Sequence, residues 1–130
     1  MDYDIVIIGA GLSGIGAACH LERKNPEKKY KILEAREEIG GTWSLFKYPG
    51  IRSDSDMYTF GYSFKTWDDD KSFADAPSIL SYLNDATEEY NVKNNISFNQ
   101  KVTHYNFDNQ QKVWTITVSY THLTLPTTRC

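Results

Sequence analysis

Ile5-Val6-Ile7-Ile8-Gly9-Ala10-Gly11-Leu12-Ser13-Gly14 is the stretch whose reading decides the fold. Four β-branched residues in a row are too short to span a membrane and suit a strand buried on both faces. The next six residues match G-x-G-x-x-G, and each glycine has a separate reason to be there. Gly9 permits the tight turn, Gly11 lets a pyrophosphate approach the backbone, and Gly14 lets the following helix lie close on the strand. A helix opening at such a turn presents free N–H groups and a partial positive charge to phosphate. Ala17, Ala18 and Leu21 give that helix a small-residue face for packing on a sheet.

Downstream, Arg23 to Lys29 is polar and broken by Pro26, a solvated connection. Lys31-Ile32-Leu33-Glu34 then reads as the second strand, and Glu34 stands twenty residues beyond Gly14, where an acid can bind a ribose diol. The context that G-x-G-x-x-G requires is therefore complete, and an adenine dinucleotide is expected here. An acid at the strand end favours a free 2′-hydroxyl, as in FAD or NAD, over a 2′-phosphate; Arg36 nearby leaves that exclusion incomplete.

At 130 residues the chain suffices for one domain and not for two. Fourteen basic against seventeen acidic residues give a net charge of −3, which supplies no basic field for nucleic acid or an anionic membrane. The two cysteines, Cys19 and Cys130, form neither a metal spacing nor a disulfide framework, so a reducing cytoplasm is expected. Cys19 reads as a small helix residue. The N-terminus enters the first strand directly, with no signal peptide or membrane span in view.

Beyond Glu34 the regular alternation stops. Glu37 to Asp56 is dense in glycine, aromatics and charge, too irregular for a packed element, and long loops in compact domains are usually functional. Phe60 to Trp67 adds aromatics, and Asp68-Asp69-Asp70 reads as a solvated turn rather than a cation site. Pro77 suits the first position of a helix that Asp75 helps to cap, with Ile79, Leu83, Ala86 and Tyr90 as its core stripe and Leu80 widening it. Short strands are expected at 96–98, 102–107 and 113–117, with Asp108 to Gln111 as the last hairpin turn. Val118 to Thr127 resembles the translation of a transposon-type sequencing adapter. The expected division is therefore a native part, 1–117, and a foreign tail, 118–130. A genuine β-hairpin end is the other reading of that tail.

Gly40-Gly41-Thr42-Trp43 followed by Tyr48-Pro49-Gly50-Ile51-Arg52-Ser53-Asp54 resembles the flavin-dependent Baeyer–Villiger monooxygenases, and within them the ethionamide-monooxygenase-like group. The resemblance covers Met1 to about Thr117. It implies an α/β fold, the glutathione-reductase-like FAD-binding Rossmann-type domain, here truncated to a βαβ core plus a helix and a small β-meander. It implies FAD and NADPH as cofactors, and O2 with a small-molecule ketone or sulfur compound as substrates. NADPH would reduce the flavin, and one oxygen atom would be inserted into the ketone or added to sulfur.

Carried over by position, Gly9, Gly11, Ser13 and Gly14 would hold the pyrophosphate and Glu34 the ribose. Gly41, Thr42 and Trp43 would lie along the flavin, Phe60 would flank it, and Val102 would offer its backbone to adenine. Arg52 and Ser53 would sit near the nicotinamide. Asp54 would face the reaction centre and orient an arginine from a later part of the parent chain; an Arg52–Asp54 loop ion pair is the alternative. The second glycine motif and the fingerprint of type F-x-G-x-x-x-H-x-x-x-W are absent from these residues, so the chain alone is expected to be inactive. The competing functions are a flavin disulfide reductase, which would need a redox partner for Cys19, an N- or S-hydroxylating flavoprotein, and a non-catalytic dinucleotide-binding module. His20 and His104 read as a helix-surface and a strand residue, with no Ser-His-Asp or metal constellation.

Overall fold

The computed structural model describes residues 2–45, 61–65, 75–120 and 128–129. The Ile5–Ile8 run forms strand β1, and helix α1 follows over Leu12–Lys24. Strand β2 spans Tyr30–Leu33 and pairs parallel with β1, Ile5 opposite Tyr30 through Ile8 opposite Leu33. This is the βαβ unit the sequence predicts. A four-residue helix α2, Thr42–Leu45, comes next. Helix α3 spans Ala76–Glu89 and leads through a 3-10 turn, Lys93–Asn95, into strand β3, Ile96–Ser97. β3 lies parallel on the far side of β2, giving the order β1-β2-β3.

A second, antiparallel sheet is built from β4 (Gln100–Asp108), β5 (Val113–Tyr120) and β6 (Thr128–Arg129). The β4–β5 turn closes as the sequence suggests. Asp108 Oδ1 accepts the amides of Gln110 and Gln111 at 2.8 and 3.0 Å, and Lys112 takes a left-handed φ of 59°. β5 runs on past Thr117 to Tyr120, with Val118 buried opposite Val102. The element thus extends three residues beyond the boundary expected for the native part.

The main core lies between the parallel sheet and helices α1 and α3. Ile15, Ala18 and Cys19 of α1 meet Ile79, Leu83 and Ala86 of α3, with Ile32 and Ile96 beneath from the sheet. Asp75 caps α3 as expected, its carboxylate accepting the Ser78 amide at 3.0 Å; the helix begins at Ala76, one residue before Pro77. Asn91, at φ 58°, turns the chain out of the helix. Tyr82 and Thr87 join the stripe of α3 as buried residues. A smaller core of Leu33, Ile116 and Val118, flanked by Val6, Val102 and Tyr120, holds the antiparallel sheet against the other face of the parallel one.

Two expectations are corrected. β1 is not buried on both faces: it is the outer strand of its sheet among the described residues, and Ile8 is 56% exposed. The start of the glycine-rich excursion is a packed element, because Ile39 and Ser44 are buried and α2 forms between Gly41 and the residues outside the description.

Cys19 is fully buried, and its thiol faces the Ala86 carbonyl at 3.9 Å, where the two helices cross. Burial, reinforced by the negative charges of Glu89 and Glu22, pushes the thiol from 9.0 up to about 11. The folded state therefore holds the proton more tightly than the unfolded chain. Its stabilising contribution is complete below pH 9, and declines as pH rises toward 11. In a Cys130→Ser chain, a disulfide reagent at pH 8 should label Cys19 only when denaturant opens the fold. Labelling at the rate of a free thiol in native buffer would contradict the packing.

Candidate functional site

The glycine turn stands where β1 gives way to α1. The Gly9 amide donates to the Leu33 carbonyl at 2.9 Å, tying the turn to the end of β2, and Gly9 takes a φ of +100° that favours glycine. A side chain at Gly14 would place its Cβ 1.9 Å from the Gly9 carbonyl oxygen. That contact explains the third glycine: α1 can approach β1 this closely only without a side chain. α1 opens at Gly11 without a side-chain cap, and the first helical bond is Ile15 N–H to the Gly11 carbonyl at 3.0 Å. The amides of its first turn thus have no acceptor within the helix, and they carry the positive end of its dipole.

Gly40 and Gly41 approach this turn from the other side. The Gly40 amide donates to the Ala10 carbonyl at 2.9 Å, and a Cβ at Gly41 would meet the Gly11 Cα at 3.3 Å. Both glycines have positive φ, +118° and +54°. Both glycine turns line an open cavity of about 420 Å³, bounded by Ile8, Gly9, Gly11, Leu12, Ser13, Gly14, Gly40, Gly41 and Trp43.

Glu34 lies at the foot of the turn, 7% exposed. Its Oε1 accepts the Ala10 amide at 2.7 Å and its Oε2 the Arg36 amide at 2.9 Å. Its backbone is held between neighbours as well, donating to Ser97 and accepting from Gln100, both at 2.9 Å. Each carboxylate oxygen keeps a further lone pair for a ribose hydroxyl.

The structure thus gathers Gly9, Gly11, Ser13, Gly14, Gly41 and Trp43 around one cavity. Glu34 does not line it; the Ala10 amide bonds the carboxylate to the glycine turn that does. Thr42 opens α2 beside them. Val102 lies in β4, two residues beyond the Gln100 amide that bonds Glu34; its side chain packs against the smaller core and does not line the cavity. Arg52, Ser53, Asp54 and Phe60 fall outside the described residues, as does Asp68-Asp69-Asp70.

Three features escape sequence reasoning. Arg36 reaches Ser44, its Nη1 bonded to the Ser44 hydroxyl and its Nη2 to the Ser44 carbonyl at 3.5 Å. Tyr62 does not line the cavity. Its ring lies over Gly16 of α1, where a Cβ would come within 2.8 Å of it, and its hydroxyl donates to the Leu12 carbonyl at 2.5 Å. Tyr82 of α3 and Tyr90 at its C-terminal cap pin the same segment, donating to the Lys65 and Phe64 carbonyls at 2.5 and 3.1 Å. A glycine within a helix costs about 1 kcal/mol relative to alanine, so Gly16 is the available sequence signal for that contact.

A parallel βαβ unit, a glycine turn feeding a helix N-terminus and an acid at the end of β2 together define a dinucleotide-binding α/β protein. The match to known proteins agrees: residues 7–83 fit the model of the NAD(P)-binding Rossmann-like domain, and the chain belongs to that family. It is 53% identical over 116 residues to the FAD-containing monooxygenase EthA of Mycolicibacterium smegmatis, covering 89% of this chain and 24% of that protein. It superposes on an oxidised steroid monooxygenase bound to NADP with a TM-score of 0.85 at 27% identity, covering 99% of this chain and 25% of that one. It superposes equally, at 0.85 and 32% identity, on OTEMO solved in complex with FAD and NADP, covering 98% and 24%. The chain thus spans about a quarter of the length of the relatives it matches.

The two glycines that face phosphate and helix respond differently to substitution. Gly14→Ala forces α1 off β1 and should lower stability by about 1–3 kcal/mol in urea unfolding, as overpacking does. Gly11→Ala finds ordinary contact, 3.6 Å from the Gly41 Cα, at a backbone φ of −86° open to any residue. It should leave stability within about 0.5 kcal/mol, yet weaken ADP binding in calorimetry by roughly tenfold, since its methyl stands where phosphate approaches. Equal effects of the two changes on stability would refute this division of labour.

Proposed function

We propose that this chain is the FAD-binding portion of an NADPH-dependent flavin monooxygenase, whose parent inserts one oxygen atom from O2 into a small ketone or adds it to sulfur. The observation that carries the reading is the facing pair of glycine turns, Gly9 to Gly14 against Gly40 and Gly41, with a buried carboxylate bonded to the first of them through the Ala10 amide. Glycines let the two turns close on each other and line one open cavity that a pyrophosphate can approach, the uncapped first turn of α1 supplies donors and positive potential, and Glu34 supplies acceptors for the ribose. The cradle fits FAD on these grounds. The likeness to FAD-containing monooxygenases supports the same choice.

When bound, FAD supplies the redox chemistry with NADPH and oxygen. The chain's own residues hold, orient and shield it. Ser13 and the amides of the α1 first turn bind the pyrophosphate, and Glu34 accepts from the adenosine ribose. The Val102 backbone serves the adenine. Gly41 and Thr42 bring the chain alongside the flavin, while the indole of Trp43 covers a face of the cavity and excludes water, with Phe60 flanking it. Arg52 and Ser53 act near the nicotinamide. Asp54 orients an arginine supplied by the remainder of the parent. The free, buried and protonated Cys19 thiol suits a reducing compartment, the cytoplasm; no helix among the described residues is long and apolar enough to cross a membrane.

The test is made on the full-length parent. It should purify with yellow flavin absorbance, or take up added FAD, and oxidise NADPH in step with a ketone or a sulfide, releasing a product one oxygen heavier. A colourless protein that takes up no FAD would overturn the cofactor reading. Flavin reduction without oxygenated product would overturn the monooxygenase reading alone.

A further inference from the structure

Arg36 stands two residues beyond the ribose acid and touches it in space, since its own amide donates to Glu34 Oε2 at 2.9 Å. An arginine in that place is well suited to a 2′-phosphate, because a guanidinium offers a planar fork of donors to phosphate oxygens. Here the fork is already engaged. Nη1 donates to the Ser44 hydroxyl, Nη2 to the Ser44 carbonyl at 3.5 Å, and Nη2 stands 3.5 Å from Glu38 Oε1. Ser44 is 1% exposed, and its hydroxyl in turn donates to the Gly41 carbonyl at 3.3 Å. The serine therefore accepts from the arginine while its proton fastens it to the second glycine turn.

Building on the dinucleotide reading, we propose that Ser44 determines which nucleotide the cradle accepts: it holds the Arg36 guanidinium against α2, and so withholds it from a 2′-phosphate. With that guanidinium held away, Glu34 faces the ribose and repels a phosphate on the 2′-oxygen. Selectivity for a free 2′-hydroxyl comes from two parts, an acid that is present and a base that is tied back. Glu38 assists from the exposed side with its own charge. Ser44 touches no nucleotide in this scheme; it is a positioning residue, acting through Arg36.

The readout is a ratio of affinities, which a general loss of stability moves little. ADP-ribose and its 2′-phosphorylated form are titrated by calorimetry into the 130-residue chain and its variants. The parent sequence should favour ADP-ribose by about a hundredfold or more. Ser44→Ala, which removes the hydroxyl's hold on Nη1 and leaves only the two longer contacts of Nη2, should narrow that preference by roughly tenfold, equivalent to one charge-assisted bond to phosphate. Ser44→Ala with Arg36→Gln should restore it, and Ser44→Thr, which keeps the hydroxyl, should retain it. Glu38→Gln, at the surface and clear of the core, should narrow the preference in the same direction by a few-fold, and serves if the buried serine does not tolerate alanine. An unchanged ratio in both Ser44→Ala and Glu38→Gln overturns the proposal, as does an equal narrowing in the double variant. Binding of neither probe to the parent sequence removes the dinucleotide reading itself, and this proposal with it.

Discussion

The bond from the Ala10 amide to the Glu34 carboxylate is the constraint on which the rest of the site depends. A carboxylate this far out of water is tolerable only when donors replace its hydration. Glu34 finds two, and they come from different places: Ala10 belongs to the turn after β1, Arg36 to the chain leaving β2. The acid thus joins the end of one strand to the loop following the other. The same Ala10 residue passes the constraint on, because its carbonyl accepts the Gly40 amide at 2.9 Å. The backbone of one residue, Ala10, therefore carries the acid on one side and the second glycine turn on the other. Removing the carboxylate would leave two backbone donors without their partner, a cost of about 1–3 kcal/mol for each that stays buried.

What was legible in the sequence is what local pattern controls. The βαβ unit follows from an apolar run, three spaced glycines and a second run ending on an acid, all within thirty residues. The Asp75 cap and the α3 stripe follow from helical spacing, and the β4–β5 turn from a cluster of turn residues. The gathering of Gly11, Ser13, Gly41 and Trp43 around one cavity needed the family resemblance as well, since nothing periodic links residue 41 to residue 11. The Arg36–Ser44 bonds and the seat of Tyr62 on Gly16 were not legible. They depend on side chains meeting after the backbone is placed, across separations that no local signal encodes.

β1 shows the opposite case, in which the pattern overstates what the described residues supply. Ile5 to Ile8 is as apolar as a central strand, and its partner β2 is buried as such a strand should be. Yet β1 has one paired edge among the described residues, and Ile8, beside the cavity, is 56% exposed. Ile5 and Ile7 line a shallow apolar hollow with Ala17 and Leu21 of α1. An unpaired apolar edge favours association with another strand. The sequence of β1 thus carries the character of an interior strand, in a chain that spans about a quarter of its relatives.

The electrostatic order of the site runs along the same line as its glycines. Positive potential is concentrated at the start of α1, where Ser13 and the first-turn amides meet the cavity, and it comes from backbone dipoles. Negative charge is fixed at Glu34, which accepts the amide of Ala10, two residues before α1 begins. Between these two, a mobile cation would blur the distinction, since an arginine free beside Glu34 would neutralise it and admit a second phosphate. The bonds from Arg36 to Ser44 and the nearby Glu38 prevent this by giving the cation partners within the protein. They also fasten α2, and through the Ser44–Gly41 bond the second glycine turn, to the strand that carries the acid. The same contacts that shape the cradle therefore draw the Arg36 guanidinium away from Glu34, where it would spoil the selectivity. Shape and charge at this site are set together, by a side chain that faces neither phosphate nor ribose.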